Sequence, residues 1–317
     1  TNTRIRHKNV KKEDGSYEFE NATLTIKDGK SKDCRIEKES DISKEVTPRK
    51  PFLKIRKFRK VFEIGDYTIC LDDFIYPMKI SSIEVEFKNQ RQLNKAKDIM
   101  PNEIMFNTLP ACQYFKRKIG VAGAPSSGKT TAAKQISMIL NLDYGANSSD
   151  VVEYATSFIQ KTRRSPLLVD QSLIAIKQGR RESDIASSAN IVISDCPQFL
   201  AHIYANILSE SAKETQDVIS YHLGSAYKMA LRSLPEYSDY VLVQLHEYIE
   251  NGVRYNGADA AIDIHERIQK FMKQVQIPYT LYDRTKMSIN ELINILFSIN
   301  SGSNVLEFLR KLLGNKI

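Results

Sequence analysis

Cysteine is scarce in this sequence, and long apolar runs are missing from it. The 317 residues include 4 cysteines, at positions 34, 70, 112 and 196, without the close pairs of a zinc site or the density of a disulfide-stapled secreted domain. No secretory signal pattern and no apolar stretch of membrane-spanning length occurs. These absences argue against zinc-finger, disulfide-scaffold and membrane-spanning classes, and they predict a cytoplasmic protein with free thiols.

Histidine supplies no metal motif, and aromatic residues do not alternate with basic ones. The 5 histidines lack metal-ligand spacing, so we expect them to be structural or surface residues. Sites for single-stranded nucleic acid combine aromatic and basic side chains, and no such patch is present. Nucleic acid is therefore a less favoured ligand than a small molecule.

The net charge of +8 belongs entirely to the first part of the chain. Residues 1–118 hold 26 lysines and arginines against 18 acidic residues, whereas residues 119–317 hold 20 of each. A solvated basic surface explains this imbalance, and so does attraction for a polyanion such as nucleic acid. The arrangement of charges within residues 1–90 adds a third interpretation.

Residues 1–90 alternate with the two-residue period of β-strands, interrupted by turn sequences such as KEDGS and EIGDY. Residues two apart on a strand share a face, so several strands each carry a charged face. The pairs are Arg4 with Arg6, Thr25 with Lys27, Glu37 with Glu39, Lys57 with Arg59, and Glu84 with Glu86. An antiparallel sheet with one wet face explains the pattern. A barrel with a polar lumen, offering cations to phosphate oxygens and carboxylates to a divalent metal, explains it equally.

The order of these motifs resembles the CYTH superfamily, the triphosphate tunnel metalloenzymes. The resemblance covers about 90 residues and includes an L-T-x-K strand and an "LD" strand. It implies an antiparallel barrel with a polar lumen. It also implies triphosphate binding by Arg4, Arg6, Lys27, Lys57 and Arg59. Mg²⁺ or Mn²⁺ would be held by Glu37, Glu39, Asp72, Glu84 and Glu86.

One family motif has no counterpart in the sequence. The E-x-E-x-K strand, which supplies metal ligands and a lysine in the family, normally precedes the R-x-R strand, and here Thr1 comes first. Either that strand lies upstream of Thr1, or the tunnel is open. In both cases we expect binding of a phosphorylated ligand to survive better than triphosphate hydrolysis.

A phosphate-binding loop follows residues 101–116, which are predicted to be a linker without a sharp boundary. The stretch GAPSSGKT matches G-x-x-x-x-G-K-[ST] between a short apolar strand and a helical segment, which is the context that the motif requires. Its glycines allow backbone N–H groups to point at phosphate oxygens, its lysine reaches the β and γ phosphates, and its threonine hydroxyl binds Mg²⁺. The predicted nucleotide-binding residues are Gly123, Ser126, Ser127, Gly128, Lys129, Thr130 and Thr131.

Further strands and helices alternate after the loop, which predicts an α/β three-layer domain with a mostly parallel sheet. Asp195 ends the apolar strand SANIVIS, where its carboxylate can bind a metal or orient an acceptor hydroxyl, or can cap the following helix. Arg254 lies in a glycine-containing segment that would bring a guanidinium to the transferring phosphate, or it is a solvated surface arginine. We take Lys129, Asp195 and Arg254 as the catalytic candidates.

The second half resembles the P-loop kinase group that includes the ribosylnicotinamide kinase domain of bacterial NAD regulators and the ATPase module of the TRPL translocation defect protein. VVEYA, KQGRRE and ISDCP look like motifs of that group. The resemblance implies an acceptor site formed by Glu153, Gln178 and Glu182. It departs from the group at Thr156, where an arginine is expected, and this leaves the identity of the acceptor open.

Together these patterns predict a tunnel-like domain at residues 1–100, a linker at 101–116, a P-loop domain at 117–300 and a helical tail at 301–317. The tail would dock on its domain, pair with a partner or touch a membrane surface. The favoured function is phosphoryl transfer from ATP or GTP to a nucleoside, nucleotide or related small acceptor, joined to triphosphate binding or hydrolysis. A nucleotide-dependent switch that grips a phosphorylated ligand is one alternative, and a nucleic-acid 5′-end kinase and triphosphatase is another.

Overall fold

The computed structural model describes residues 2–12, 16–28, 36–42, 55–99, 115–246, 257–299 and 302–313. Arg254 and most of the predicted linker lie outside these residues. The chain divides into two compact units, Thr1–Lys54 and Ile55–Ile317. The predicted domain boundaries at residues 100, 116 and 300 stay predictions.

The first unit contains an antiparallel sheet of three strands in the order β1-β2-β3. The strands are β1 (Asn2–Lys11), β2 (Tyr17–Asp28) and β3 (Ile36–Ile42). Arg4 lies opposite Thr25, which lies opposite Glu39, and Lys27 lies opposite Glu37. Because directly opposite residues share a sheet face, the register places the predicted basic and acidic positions on one face. The predicted strands are confirmed here.

A second antiparallel sheet, in the order β4-β5-β6, opens the second unit. It consists of β4 (Arg56–Ile64), β5 (Tyr67–Tyr76) and β6 (Ile80–Glu86). Helix α1 (Gln90–Asp98) follows, and its first turn is closed by Asn89, whose side chain accepts a hydrogen bond from the Gln92 N–H. The described N-terminal residues thus form two three-stranded sheets in different units, and the predicted barrel is not confirmed.

The predicted parallel sheet is confirmed in the P-loop domain. Five strands run parallel in the order β11-β10-β7-β9-β8. They are β7 (Arg117–Ala122), β8 (Ser148–Val151), β9 (Ile191–Ser194), β10 (Asp239–Val243) and β11 (Thr280–Tyr282). The central strands are buried almost throughout, which is why they read as continuous apolar runs in the sequence.

Helices connect these strands and cover the sheet. They are α2 (Lys129–Leu142), α3 (Tyr154–Thr162), α4 (Gln171–Ala186), α5 (Leu200–Ser209), α6 (Gln216–Ser233), α7 (Ala258–Gln274) and α8 (Ile289–Leu296). The ring of Phe199 stacks on Phe271 of α7 at 5.5 Å between centroids and meets Tyr240 of β10 edge-on. Within the described residues, no helix combines the length and apolar character needed to cross a bilayer.

The C-terminal helix α9 (Gly302–Leu313) packs on the second antiparallel sheet. Its buried residues Phe308, Leu312 and Leu313 meet Tyr67 and Ile69 of β5, together with Ala96 of α1. Of the three roles considered for the tail, docking on its own chain is therefore observed. Its partner is the sheet that precedes the P-loop domain, because that sheet offers an apolar face for the apolar stripe of α9 to cover.

The second antiparallel sheet also contacts the P-loop domain directly. The backbone N–H of Lys79 donates to the carbonyl of Tyr144, 2.6 Å away, just beyond the end of α2. The rings of Phe74 and Phe115 lie 4.9 Å apart between centroids. The charged face of this sheet and the phosphate-binding loop therefore belong to one compact unit.

Candidate phosphoryl-transfer site

The loop between β7 and α2 has the backbone shape of a phosphate cradle. Gly128 caps α2 with φ +90°, in the left-handed region that favours glycine. A side-chain carbon on Gly123 would collide with the hydroxyl of Ser127. The positive φ of Gly128 and the close approach of Ser127 to Gly123 explain why glycine suits both positions. The free N–H groups at the start of α2 then point out of the helix, where an anion binds well.

Lys129 is the first residue of α2, and its side chain is only 12% exposed. Its Nζ lies 3.7 Å from Oε2 of Glu153, the residue that precedes α3. Burial alone lowers the pKa of Lys129, but the carboxylates of Glu153 and Asp195 outweigh it and raise that pKa above its ordinary value. The lysine is therefore a permanent positive charge beside the loop.

Thr130 and Asp195 meet at the same place. The Thr130 hydroxyl donates to Oδ2 of Asp195 at 2.5 Å, and Asp195 itself is 3% exposed. Burial raises the pKa of Asp195 to about 6, although the charge of Lys129 and the hydrogen bond from Thr130 act in the opposite direction. Its other oxygen, Oδ1, is buried and has no hydrogen-bond partner among the described residues.

Asp195 and Glu153 come together because parallel strands end at the same edge of a sheet. Asp195 follows β9 directly, and its N–H donates to the carbonyl of Val151 at the end of β8, 3.1 Å away. Glu153 follows two residues later on the same edge. The sequence predicted both residues, and the structure brings them together with Lys129 and Thr130.

Gln178 and Glu182 of α4 lie behind this edge. The Gln178 side-chain oxygen accepts a hydrogen bond from the backbone N–H of Tyr154 at 2.8 Å, which fixes the start of α3 next to Glu153. Glu182 is 0% exposed and accepts hydrogen bonds from Ser194, Tyr237 and Lys118 at 2.5 to 2.9 Å. Both residues thus belong to a buried network, and their predicted contact with an acceptor stays a prediction.

We expect Glu182→Ala to lower the free energy of unfolding by about 3 kcal/mol or more, because it leaves the largely buried Lys118 without its inner partner. Chemical denaturation of the two proteins measures this loss. Glu236→Ala is the matched control, since Glu236 pairs with the same Lys118 at 2.8 Å but is 49% exposed, and it should cost less than about 1 kcal/mol. Equal losses in the two variants would contradict a buried structural role for Glu182.

Arg181 is a site residue that sequence reasoning missed. Its guanidinium donates to the Ser157 hydroxyl at 2.9 Å and lies over the Tyr154 ring, 4.7 Å from the centroid. Weaker contacts reach the carbonyls of Val152 and Glu153 at 3.4 and 3.5 Å. The only signal for it is its position three residues after Gln178, on the same helix face.

The second antiparallel sheet carries a separate cluster of charges. Arg59 donates to both oxygens of Asp72 at 2.6 Å and to Glu84 at 2.5 Å, and Lys57 also donates to Asp72. Burial raises the pKa of Asp72, but hydrogen bonds from Arg59 and Lys57 outweigh it and hold that pKa below its usual value. The predicted phosphate-binding cations of this sheet are therefore already paired with the predicted metal ligands.

Glu84 also belongs to a group that could hold a metal ion. Cys70, Glu84 and Glu86 each offer one ligand atom, and these atoms lie within 4.8 Å of one another. Cys70 was not expected here, and burial raises the pKa of its thiol. The remaining predicted tunnel residues, Arg4, Arg6, Lys27, Glu37 and Glu39, lie in the first unit, where the register alone relates them.

Comparisons with known proteins agree with the P-loop fold. A family model described as "AAA domain" matches residues 118–288, and it does not extend to the tunnel-like part. No curated protein sequence matches the chain significantly. The tunnel resemblance of residues 1–90 therefore stays a prediction.

Several solved structures are similar to part of the chain at low sequence identity. A NadR protein in complex with NAD and AMP-PNP is 14% identical over 57% of this chain and 49% of its own, with a TM-score of 0.46. NadR in complex with NR is 15% identical over 59% and 52%, with a TM-score of 0.48. Deoxyadenosine kinase from M. mycoides with bound dATP is 12% identical over 56% and 96%, with a TM-score of 0.41. The chain thus matches about half the length of the NadR proteins.

Proposed function

This chain belongs to the AAA domain family through residues 118–288, and we propose that it is a P-loop phosphotransferase acting on a small acceptor. The observation that carries the proposal is the convergence of Lys129 and Thr130 with two carboxylates, Asp195 and Glu153. A nucleotide switch needs the loop and one metal-binding carboxylate. A second carboxylate beside the loop lysine goes beyond that need and suits an enzyme that must orient an acceptor.

The roles follow from these positions. The ammonium of Lys129 neutralises charge on the phosphates of ATP or GTP, and in the free protein Glu153 holds that ammonium in place. When the lysine turns to the phosphates, Glu153 becomes free to accept a hydrogen bond from the acceptor hydroxyl. The acceptor oxygen then bonds to the γ-phosphorus as the bond to the β,γ-bridging oxygen breaks. The nucleoside diphosphate leaves, and the hydroxyl proton passes to a carboxylate.

A divalent metal fits the residues beside the loop. The Thr130 hydroxyl and the unpartnered Oδ1 of Asp195 are hard oxygen donors of the kind that Mg²⁺ and Mn²⁺ prefer. When bound, the metal would supply charge neutralisation on the phosphate oxygens. Arg254, which lies outside the described residues, is proposed to add a guanidinium to the transferring phosphate.

The test is transfer of labelled phosphate from ATP and GTP to a panel of acceptors. The panel contains nucleosides, nucleoside monophosphates and 5′-hydroxyl oligonucleotides. Transfer to a nucleoside or nucleotide supports the proposal, whereas selective transfer to oligonucleotides favours a nucleic-acid 5′-end enzyme. Tight nucleotide binding with transfer to no acceptor contradicts the phosphotransferase and favours a switch.

We also propose that the second antiparallel sheet binds a phosphorylated ligand with the help of a metal. Lys57 and Arg59 are paired with Asp72 and Glu84, so a polyanion must compete with those carboxylates. A divalent cation that binds Glu84 and Glu86 would remove one carboxylate from Arg59 and free its guanidinium for phosphate oxygens. Polyphosphate binding at this face should therefore depend on metal. Release of phosphate from tripolyphosphate in the presence of Mg²⁺ tests triphosphate hydrolysis by the same face.

We expect Arg59→Ala to weaken tripolyphosphate binding at least about 10-fold in the presence of Mg²⁺, because a bidentate cationic donor is lost. Calorimetric titration measures this in a Lys129→Ala background, which removes phosphate binding by the loop. Lys60→Ala, on the opposite face of β4, is the control. Equal weak affinity for mono-, di- and tripolyphosphate, insensitive to Mg²⁺ and to Arg59→Ala, would contradict the proposal.

A further inference from the structure

Arg181 lies beside the start of α3, the helix that follows Glu153. Its helix, α4, also supplies Gln178, which holds the backbone N–H of Tyr154. The Arg181 guanidinium lies over the Tyr154 ring and donates to Ser157, both on α3. Glu153, which pairs with Lys129, immediately precedes that helix. Arg181 thus contacts both the backbone of Glu153 and the residue that follows it.

Among the described residues, no carboxylate forms an ion pair with Arg181. Its contacts within the described part of the chain are a hydroxyl, two backbone carbonyls and an aromatic ring. In the free protein, Glu153 pairs with Lys129, and Asp195 accepts a hydrogen bond from Thr130.

The two carbonyl contacts of Arg181 are long, at 3.4 and 3.5 Å, so most of its donor capacity remains available. A guanidinium has five N–H donors in a planar fork that matches two oxygens of a phosphate. Ser157 and the Tyr154 ring hold the side chain in place from one side, which reduces the entropy lost when an anion binds. The arrangement is therefore a preorganised cation whose counter-charge is still to be supplied.

From this arrangement we infer that Arg181 recognises a phosphate group on the acceptor, and that the acceptor is a phosphomonoester such as a nucleoside monophosphate rather than a neutral nucleoside. The inference rests on the proposed phosphotransferase function and narrows its substrate class. Arg181 is a binding residue in this role. Its loss should raise KM for a phosphorylated acceptor about 10- to 100-fold and change kcat much less.

The experiment compares Arg181→Met with wild type in acceptor-dependent transfer from ATP. Methionine keeps an unbranched apolar stem while removing the guanidinium and its charge. Arg180→Met is the matched control, because Arg180 is the adjacent arginine on α4 and is exposed. The acceptors are nucleoside monophosphates, sugar monophosphates and the corresponding neutral nucleosides, which separates a nucleotide from another phosphomonoester. Thermal unfolding of each variant checks that the fold is retained.

A rise in KM for monophosphates in Arg181→Met, with Arg180→Met unchanged, supports the inference. Preference for neutral nucleosides, or equal losses with charged and neutral acceptors, overturns it while leaving the phosphotransferase proposal intact. Transfer to no acceptor contradicts the phosphotransferase proposal itself.

In that case the affinity of AMP and GMP for protein saturated with a non-hydrolysable ATP analogue tests the role of Arg181. Calorimetric titration measures this affinity, and an unchanged value in Arg181→Met overturns the inference.

Discussion

Lys129→Ala is expected to lower the rate of phosphoryl transfer by about 10³-fold or more, because it removes the charge that faces the nucleotide phosphates in a site with little water. The side chain of Lys129 is 12% exposed, and its Nζ lies 3.7 Å from Oε2 of Glu153. The variant therefore loses a largely buried charge together with the packing of the lysine stem, so thermal unfolding is measured beside the rate. Initial rates with the best acceptor of the panel measure the effect.

Lys134→Ala is the control for this variant, since Lys134 is an exposed lysine on the same helix. It should leave the rate unchanged and the unfolding midpoint close to that of wild type. The charged cluster of the second antiparallel sheet should keep its affinity for tripolyphosphate in Lys129→Ala. Unchanged ATP turnover in Lys129→Ala would remove the loop from the catalytic site.

Asp195→Asn is expected to lower kcat by about 10²- to 10³-fold while nucleotide affinity falls less than about 10-fold. Asparagine keeps the shape of the side chain and can still accept the hydrogen bond from Thr130. It removes the negative charge that we propose acts on a metal or on the acceptor as the reaction proceeds. An interaction that acts mainly in the transition state affects kcat more than binding.

Steady-state kinetics and nucleotide titration of the same preparations separate these two quantities. Asp143→Asn, at the exposed end of α2, is the control for removal of one negative charge. If kcat and nucleotide affinity fall by the same factor in Asp195→Asn, the carboxylate contributes to ground-state binding only, and its catalytic assignment is wrong.

The local features of this molecule, its strands and its phosphate-binding loop, were predictable from the sequence. Strands β1 to β6 follow from a two-residue alternation, and the P-loop follows from two glycines whose backbone requirements are met within six residues. The meeting of Asp195 and Glu153 was also predictable, because both end parallel strands and such ends share an edge. In each case a short stretch of chain, together with one rule of sheet geometry, is sufficient.

The contacts between distant segments were not predictable in the same way. The sequence around Arg181 offers no signal beyond its spacing from Gln178, because its contacts arise from the packing of α4 against α3. The same holds for Cys70, which joins Glu84 and Glu86 only through the register of β5 and β6. Closure of a barrel also depends on how separate sheets meet, and alternation along single strands carries no information about that.

The docking of α9 on β5 joins two segments that the ribosome makes at different times. The apolar face of β5 is covered by Phe308 and Leu312, which are made roughly 240 residues after it. At ribosomal speeds of about 5–20 residues per second, α9 is made on the order of 10–50 s after that face, and among the described residues α1 is available to it earlier. Exposed apolar strands are prone to aggregate during such an interval. A growing chain therefore completes its P-loop domain before α9 can cover the sheet that precedes that domain in the sequence.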